Sequence, residues 1–180
     1  QYACAPRRRL EAEAGRDAML AASGCLDESM GGPSFQDFVV EHPEHSPHYE
    51  YRLFDPEDHR SHRRSVYRFL VRSQQQPFMA TLDCADPSIL VEKRNETISP
   101  LQALVLLNDR LTLVLSKHFA ERLVAFSQDR QVQVNLAFEL CLGRIATEEE
   151  RRELVSHADK HGLAAMCRAL FNLNEFAFVD

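Results

Sequence analysis

The longest apolar-periodic run in the chain covers residues 99–126. Within it Leu101, Leu104, Val105, Leu107, Leu111, Val114, Leu115, Phe119, Leu123 and Phe126 recur at helical spacing. Ser99 is a natural N-cap, Pro100 fits the first helical position, and Gln102 completes a capping box with Ser99. The pattern predicts one long central helix over 99–126, with a stripe so broad that other elements must cover it on more than one side. Leu101, Leu104, Val105 and Leu115 are expected to be almost fully buried.

The same periodicity predicts a first helix over 8–22, with Leu10, Ala14, Ala18 and Ala21 on one stripe, Arg9, Glu13 and Arg16 off it, and Gly24 ending it. Residues 132–142 repeat Val132, Leu136, Leu140 and Cys141 ahead of Gly143. Thr147 and Glu150 form a second capping box, opening a helix through Leu154, Val155 and Ala158 that Gly162 closes, and residues 163–170 make a last helix. Alternation of Tyr49, Tyr51 and Leu53 with Glu50 and Arg52 predicts a half-buried strand, which with residues 35–40 would form a small hairpin. Residues 63–73 fit either of two periods. A helix puts Arg60, Arg64, Arg68 and Arg72 on one face; a strand puts Tyr67, Phe69 and Val71 on one face; the helix is preferred. Residues 78–82 form a single turn, 83–97 an irregular connector, and Met30-Gly31-Gly32-Pro33 a turn set by backbone geometry. The end of the chain, with Phe171, Phe176 and Phe178, is too apolar to be a free tail. These elements predict a mainly α fold: a compact multi-helix domain around a long central helix, with a small β-hairpin, formed as one domain over 1–180.

Composition narrows the picture. A chain of 180 residues is long enough to bury about 70% of its unfolded surface without a disulfide or metal framework. Its net charge of −6, from 27 acidic and 21 basic residues, argues against a general nucleic-acid or anionic-membrane binder. No uncharged stretch reaches the roughly 18 apolar residues of a membrane span. No signal peptide is readable, and a chain that begins with Gln rather than Met is expected to be part of a longer polypeptide. The five cysteines form no C-x-x-C, which removes zinc-ribbon, thioredoxin-type and c-type haem attachment readings; Cys141 and Cys167 read as core residues.

Candidate chemistry is sparse. His42, His45, His48, His59 and His62 fall within 21 residues and are the only metal-ligand candidates. Their spacing around prolines suits no regular helix face, and no metal or other cofactor is expected. Arg63, Arg64, Arg72 and Arg94, with Asn174 and Glu175, make a candidate anion or polar-network site. Internal pairing with carboxylates such as Glu11, Glu13, Asp17 and Glu175 is the favoured role for the arginines. Glu175, set among phenylalanines, requires a cation, for which Arg63, Arg64 and Arg94 are the candidates. There is no G-x-S-x-G, no H-E-x-x-H and no phosphate-cradling glycine loop, and no catalytic residue is assigned.

Several stretches together resemble one family, the planctomycete secreted-protein domain of unknown function fifteen-fifty-three. They are Arg7-Arg8-Arg9-Leu10, Arg16-Asp17-Ala18-Met19-Leu20, Ser23-Gly24 and Met30-Gly31-Gly32-Pro33, followed by Arg63-Arg64-Ser65-Val66-Tyr67 and Arg72. Asp83 to Pro87, Arg94-Asn95, the Pro100-Leu101-Gln102-Ala103-Leu104 core, Leu142-Gly143-Arg144 and Asn174-Glu175-Phe176 complete the set, in the family's order. Gly15, where an aliphatic residue is the expectation, and Leu82, where an aromatic is, depart from the pattern. The resemblance implies an exported protein of the periplasm or cell envelope in which this domain follows other domains, often a cytochrome-c-like one. It brings no activity and no catalytic residue with it.

The leading expectation is therefore a non-catalytic structural or protein-interaction domain whose partners are upstream domains of the same polypeptide, with a cytochrome-c-like domain or a polysaccharide as further partners. The alternatives are a hydrolase acting on polysaccharide or sulfated sugar, and a carbohydrate-binding module using exposed Tyr49 and Tyr51.

Overall fold

The computed structural model describes residues 8–42, 46–90, 92 and 97–179. In chain order these form β1 (Arg8–Arg9), α1 (Ala12–Ser23), β2 (Val39–Glu41), β3 (His48–Glu50), α2 (Pro77–Thr81), α3 (Pro100–Asn108) and α4 (Arg110–Phe126). α5 (Arg130–Leu142), α6 (Glu148–His161), α7 (Leu163–Phe171), α8 (Asn174–Ala177) and β4 (Phe178–Val179) follow. The fold is mainly α, with two small antiparallel two-stranded sheets, β1–β4 and β2–β3.

The core lies where α4 crosses α7, with α1 and α5 packed on α4. Leu115, Phe119 and Leu123 of α4 meet Met166, Cys167, Leu170 and Phe171 of α7, all without solvent contact, and the rings of Phe119 and Phe171 stack with centroids 5.7 Å apart. Met19 and Leu20 of α1 and Val134, Ala137 and Phe138 of α5 close the other sides. Both capping boxes form as the sequence predicts, at Ser99–Gln102 and Thr147–Glu150, and Gly24 and Gly143 end α1 and α5 in the left-handed conformation. The guanidinium of Arg122 in α4 also donates to the carbonyls of Ala21 and Ala22, tying off the end of α1.

The central helix is divided. Asp109, at ψ 144°, ends α3 and caps α4 by accepting from the Leu111 amide at 2.9 Å. The break resets the helical phase: α3 buries Gln102 and Leu106, α4 buries Thr112, Leu115, Ser116, Phe119 and Leu123, and the two faces differ by about a third of a turn at 100° per residue. In consequence Leu115 is 0% exposed, but Leu101 and Leu104 are 59% and 54% exposed and Val105 is half-buried.

Two further expectations are corrected. α1 begins at Ala12 because Arg8 and Arg9 are taken up as a strand against Val179 and Phe178, and its buried face carries Ala12, Arg16, Met19 and Leu20 while Ala14 and Ala21 are exposed. Residues 63–73 form neither an α-helix nor a regular strand. Their backbone groups bond instead to the segment before β2: Asp27 N–H to His62 O at 3.0 Å, Phe35 N–H to Tyr67 O at 3.0 Å and Phe69 N–H to Phe35 O at 2.8 Å. Short 3-10 turns at His59–Ser61 and Ser65–Tyr67 accommodate this path, so Arg60, Arg64, Arg68 and Arg72 share no face. The hairpin forms with Val40 opposite Tyr49, but its strands are three residues each, and the strand expected to run on through Leu53 ends at Glu50, where Tyr51–Leu53 turn into a 3-10 helix that leaves Leu53 exposed. The C-terminal phenylalanines are held as expected: Phe171 and Phe176 are buried, and Phe178 of β4, half-buried, pairs with Arg9 of β1.

The exposure difference along the divided helix is measurable. Leu115→Ala should cost roughly 2–5 kcal/mol in urea unfolding, and Leu104→Ala no more than about 0.5 kcal/mol. Equal losses at the two positions would contradict the phase reset at Asp109.

Candidate functional site

Arg16 is one turn beyond Ala12 and one turn before Met19–Leu20, so the helical repeat of α1 carries it into the interior at 4% exposure. Its Nη2 donates to the Ser61 carbonyl at 2.5 Å, and its Nη1 to the Arg63 carbonyl at 3.0 Å and Ser65 Oγ at 3.2 Å. Asp17 beside it accepts from the Ser65 amide at 2.8 Å and hydroxyl at 2.7 Å, and the Arg16 guanidinium lies 5.1 Å over the Phe35 ring. Burial pulls the Arg16 pKa down, and Asp17 and Asp37 oppose that shift. α1 thereby carries the hydrogen-bonding groups that the irregular segment 61–65 lacks within itself.

Arg16 also lines a cleft of about 230 Å³. Phe54, Pro56, Phe78, Met79 and Leu111 form its apolar walls, and Asp37, Tyr51, Arg52, Asp109 and Arg110 its polar lining. Asp37 is 9% exposed, its Oδ2 stands 3.8 Å from Arg68 Nη1, and its Oδ1, buried away from solvent, has no hydrogen-bond partner among the described residues. Burial raises its pKa against the opposing pull of Arg68 and Arg16. Burial likewise raises Asp109, and pushes the Tyr51 phenol up to about 12, so that it stays a donor and holds the Gln74 carbonyl at 3.0 Å. Arg110 Nη1 donates to the carbonyls of Arg52 and Phe54 at 2.6 and 3.1 Å.

The residues singled out from sequence are dispersed. Arg63 is consumed by the Met30–Pro33 turn: it donates to the carbonyls of Gly31 and of Pro33 (2.5 Å) and lies 4.1 Å over the Tyr67 ring. Tyr67 Oη accepts from the Gly31 amide, and Gly31 and Gly32 take φ of 78° and 82°, so the paired glycines serve this docked turn. Arg64 and Arg72 are exposed, and Arg94 lies outside the described residues. Asn174 is exposed. Glu175 does find a cation, but it is Arg144, which reaches it through Nε at 2.6 Å and Nη2 at 2.7 Å while also holding Glu150 at 2.7 Å. The C-terminus closes onto β1, whose Arg9 reaches Thr97 O and Asp83; Asp83, at φ 64°, accepts from the Thr97 amide and Gln102 Nε2.

His42, His48 and His59 are exposed, and His45 lies outside the described residues. His62 is buried with Nε2 2.9 Å from the Pro56 carbonyl, and burial lowers its pKa. Among the described residues no three His, Cys, Asp or Glu side chains converge as metal ligands. Tyr49 and Tyr51 are half-buried, edge-on to Phe38 at 5.1 and 5.6 Å, and present no open aromatic platform. No described helix is long and apolar enough to cross a membrane.

Arg16, Asp37 and Asp109 escaped the sequence reading. Phasing α1 on the adjacent pair Met19–Leu20 would have turned Arg16 inward, and Asn108-Asp109, two weak helix formers of which the second is a good N-cap, marks the break. Asp37 has no comparable local signal.

One family's sequence pattern matches residues 1–158: PSD1, described as a protein of unknown function (DUF1553). No curated protein and no solved structure matches the chain.

The Arg144 cluster sets a pH dependence. Hydrogen bonds from Arg144, then the Thr147 amide, hold Glu150 down from 4.5 to about 2. A carboxylate so depressed contributes stability that is present above its unfolded pKa and lost as pH falls through the folded one. Arg144→Ala should cost about 1 kcal/mol at neutral pH, in keeping with a partly exposed network. The gap from the wild type should close as pH falls from about 4.5 towards 2. A gap that stays constant in acid denaturation series would show that Arg144 acts through packing on Phe138 rather than charge.

Proposed function

The chain belongs to the PSD1 family of proteins of unknown function, and on that premise we propose that it is a non-catalytic interaction domain whose α3 face receives a neighbouring domain of the same exported polypeptide. The observation that carries this reading is the placement of α3. Its sequence, PLQALVLLN, is apolar on every side, as in helices enclosed by protein. Only Gln102 and Leu106 are buried, while Leu101, Leu104 and the preceding Ile98 are 59%, 54% and 84% exposed. Single exposed leucines are ordinary, but a row of them at helical spacing is the signature of an interaction surface. The family resemblance supports a periplasmic or cell-envelope setting.

Leu101→Glu/Leu104→Glu should leave the thermal midpoint of the isolated domain nearly unchanged, as a surface change of about 0.5 kcal/mol or less would. In a pull-down of separately purified pieces it should abolish binding to the remainder of the polypeptide. Binding that survives the double substitution would remove α3 as the docking face, and a collapse of the midpoint would show that these leucines belong to the domain's own core.

A further inference from the structure

We propose that His157 and His161, on the last turn of α6, bind a divalent transition-metal ion of the zinc type through one imidazole nitrogen each. The pair stands on a different helix from the α3 docking face and does not depend on that reading.

Three observations carry the assignment. The first is geometry. The two residues are four apart on a regular helix, a spacing that sets their side chains one above the other on a single face. Their ring centroids lie 4.8 Å apart, with the planes tilted by 45°. At a zinc–nitrogen distance of about 2.0–2.1 Å each centroid stands about 3.2 Å from a shared ion, and the separation then subtends roughly 100° at it, close to the tetrahedral angle of zinc sites. The second is availability. His161 is exposed and His157 half-buried, and neither ring has a hydrogen-bond partner among the described residues. Other histidines are committed: His62 is buried with Nε2 on the Pro56 carbonyl, and His118 is held between Glu57 at 2.6 Å and Glu121 at 3.3 Å. The third is electrostatics. The pair stands at the C-terminal end of α6, where the helix dipole favours a cation, and Glu153, exposed one turn before His157, adds a carboxylate to the same face. Imidazole ligands select first-row transition dications over Mg²⁺ and Ca²⁺, which take oxygen donors. Two protein ligands leave open positions on the ion for water. Because the chelating geometry exists only in the helix, occupancy also raises the thermal midpoint.

The test is a Zn²⁺ titration of the 180-residue chain followed by the NMR signals of the imidazole rings. Zinc is the probe because it has no redox chemistry and leaves the cysteine thiols unoxidised. The His157 and His161 signals should move together and saturate, while Mg²⁺ at the same concentration moves neither. His157→Ala and His161→Ala should each weaken binding about a hundredfold, the lower end of the gain from holding a second ligand at high effective concentration. His161, at the exposed end of α6, can be replaced without touching the core. His48→Ala in the hairpin should bind as the wild type does. So should Leu101→Glu/Leu104→Glu, which makes failure of the docking reading and failure of this one distinguishable. Absence of a saturable shift at both rings, an alanine variant of either histidine that binds as the wild type does, or loss of binding in His48→Ala would each overturn the proposal.

Discussion

Arg16 is the interaction on which the non-helical part of this molecule depends. The described residues between Cys25 and Val71 contain little regular structure beyond the short β2–β3 hairpin and single 3-10 turns, so most of their backbone carbonyls have no ladder or helical partner, and a buried carbonyl without a partner costs about 1–3 kcal/mol. One planar guanidinium, projected from a rigid helix, answers Ser61 and Arg63, and Asp17 next to it answers Ser65. Arg63 repeats the device one layer out, holding the Met30–Pro33 turn by its carbonyls. Of the arginines over 60–72, Arg63 thus serves the loops and Arg68 faces Asp37, while Arg64 and Arg72 are exposed.

The break at Asp109 links this loop layer to the helical core. By ending α3, Asp109 frees α4 to turn Leu115, Phe119 and Leu123 onto α7, and it sets Asp109, Arg110 and Leu111 against the loop layer. Arg110 then caps the carbonyls of Arg52 and Phe54 from the helical side. The same break leaves Leu101 and Leu104 facing outward, so a single N-cap residue produces both a cleft between two layers and an apolar face on the outside.

What the sequence disclosed follows from how local each signal is. The capping boxes at Ser99 and Thr147 and the glycine stops at Gly24 and Gly143 involve neighbours within four residues, and all of them form. The expectation of a mainly α fold rested on these signals and on long periodic runs, which tertiary context seldom overrides. The single helix over 99–126 failed because leucine is abundant on both sides of Asp109, and a continuous apolar period conceals a change of phase. The arginine face over 60–72 failed for the opposite reason. That segment's hydrogen bonds go to residues 27–35, which no periodicity reports. Glu175 drew the cation its surroundings require, but from Arg144, 31 positions away, and not from the cluster that charge-counting favoured. Asp37 is buried facing Arg68, 31 positions away, a partner that a pattern of neighbours does not reveal.

The central claim is that Arg16 fastens the loop layer to the helices through main-chain carbonyls. Native-state hydrogen exchange of Arg16→Lys tests it most directly, since lysine keeps the charge but lacks the planar fork that reaches two carbonyls at once. Amides of residues 27, 35 and 65–69 should lose protection while those of α4 and α7 retain theirs. Protection lost evenly across α4, α7 and the loop layer, or lost nowhere, would contradict the account.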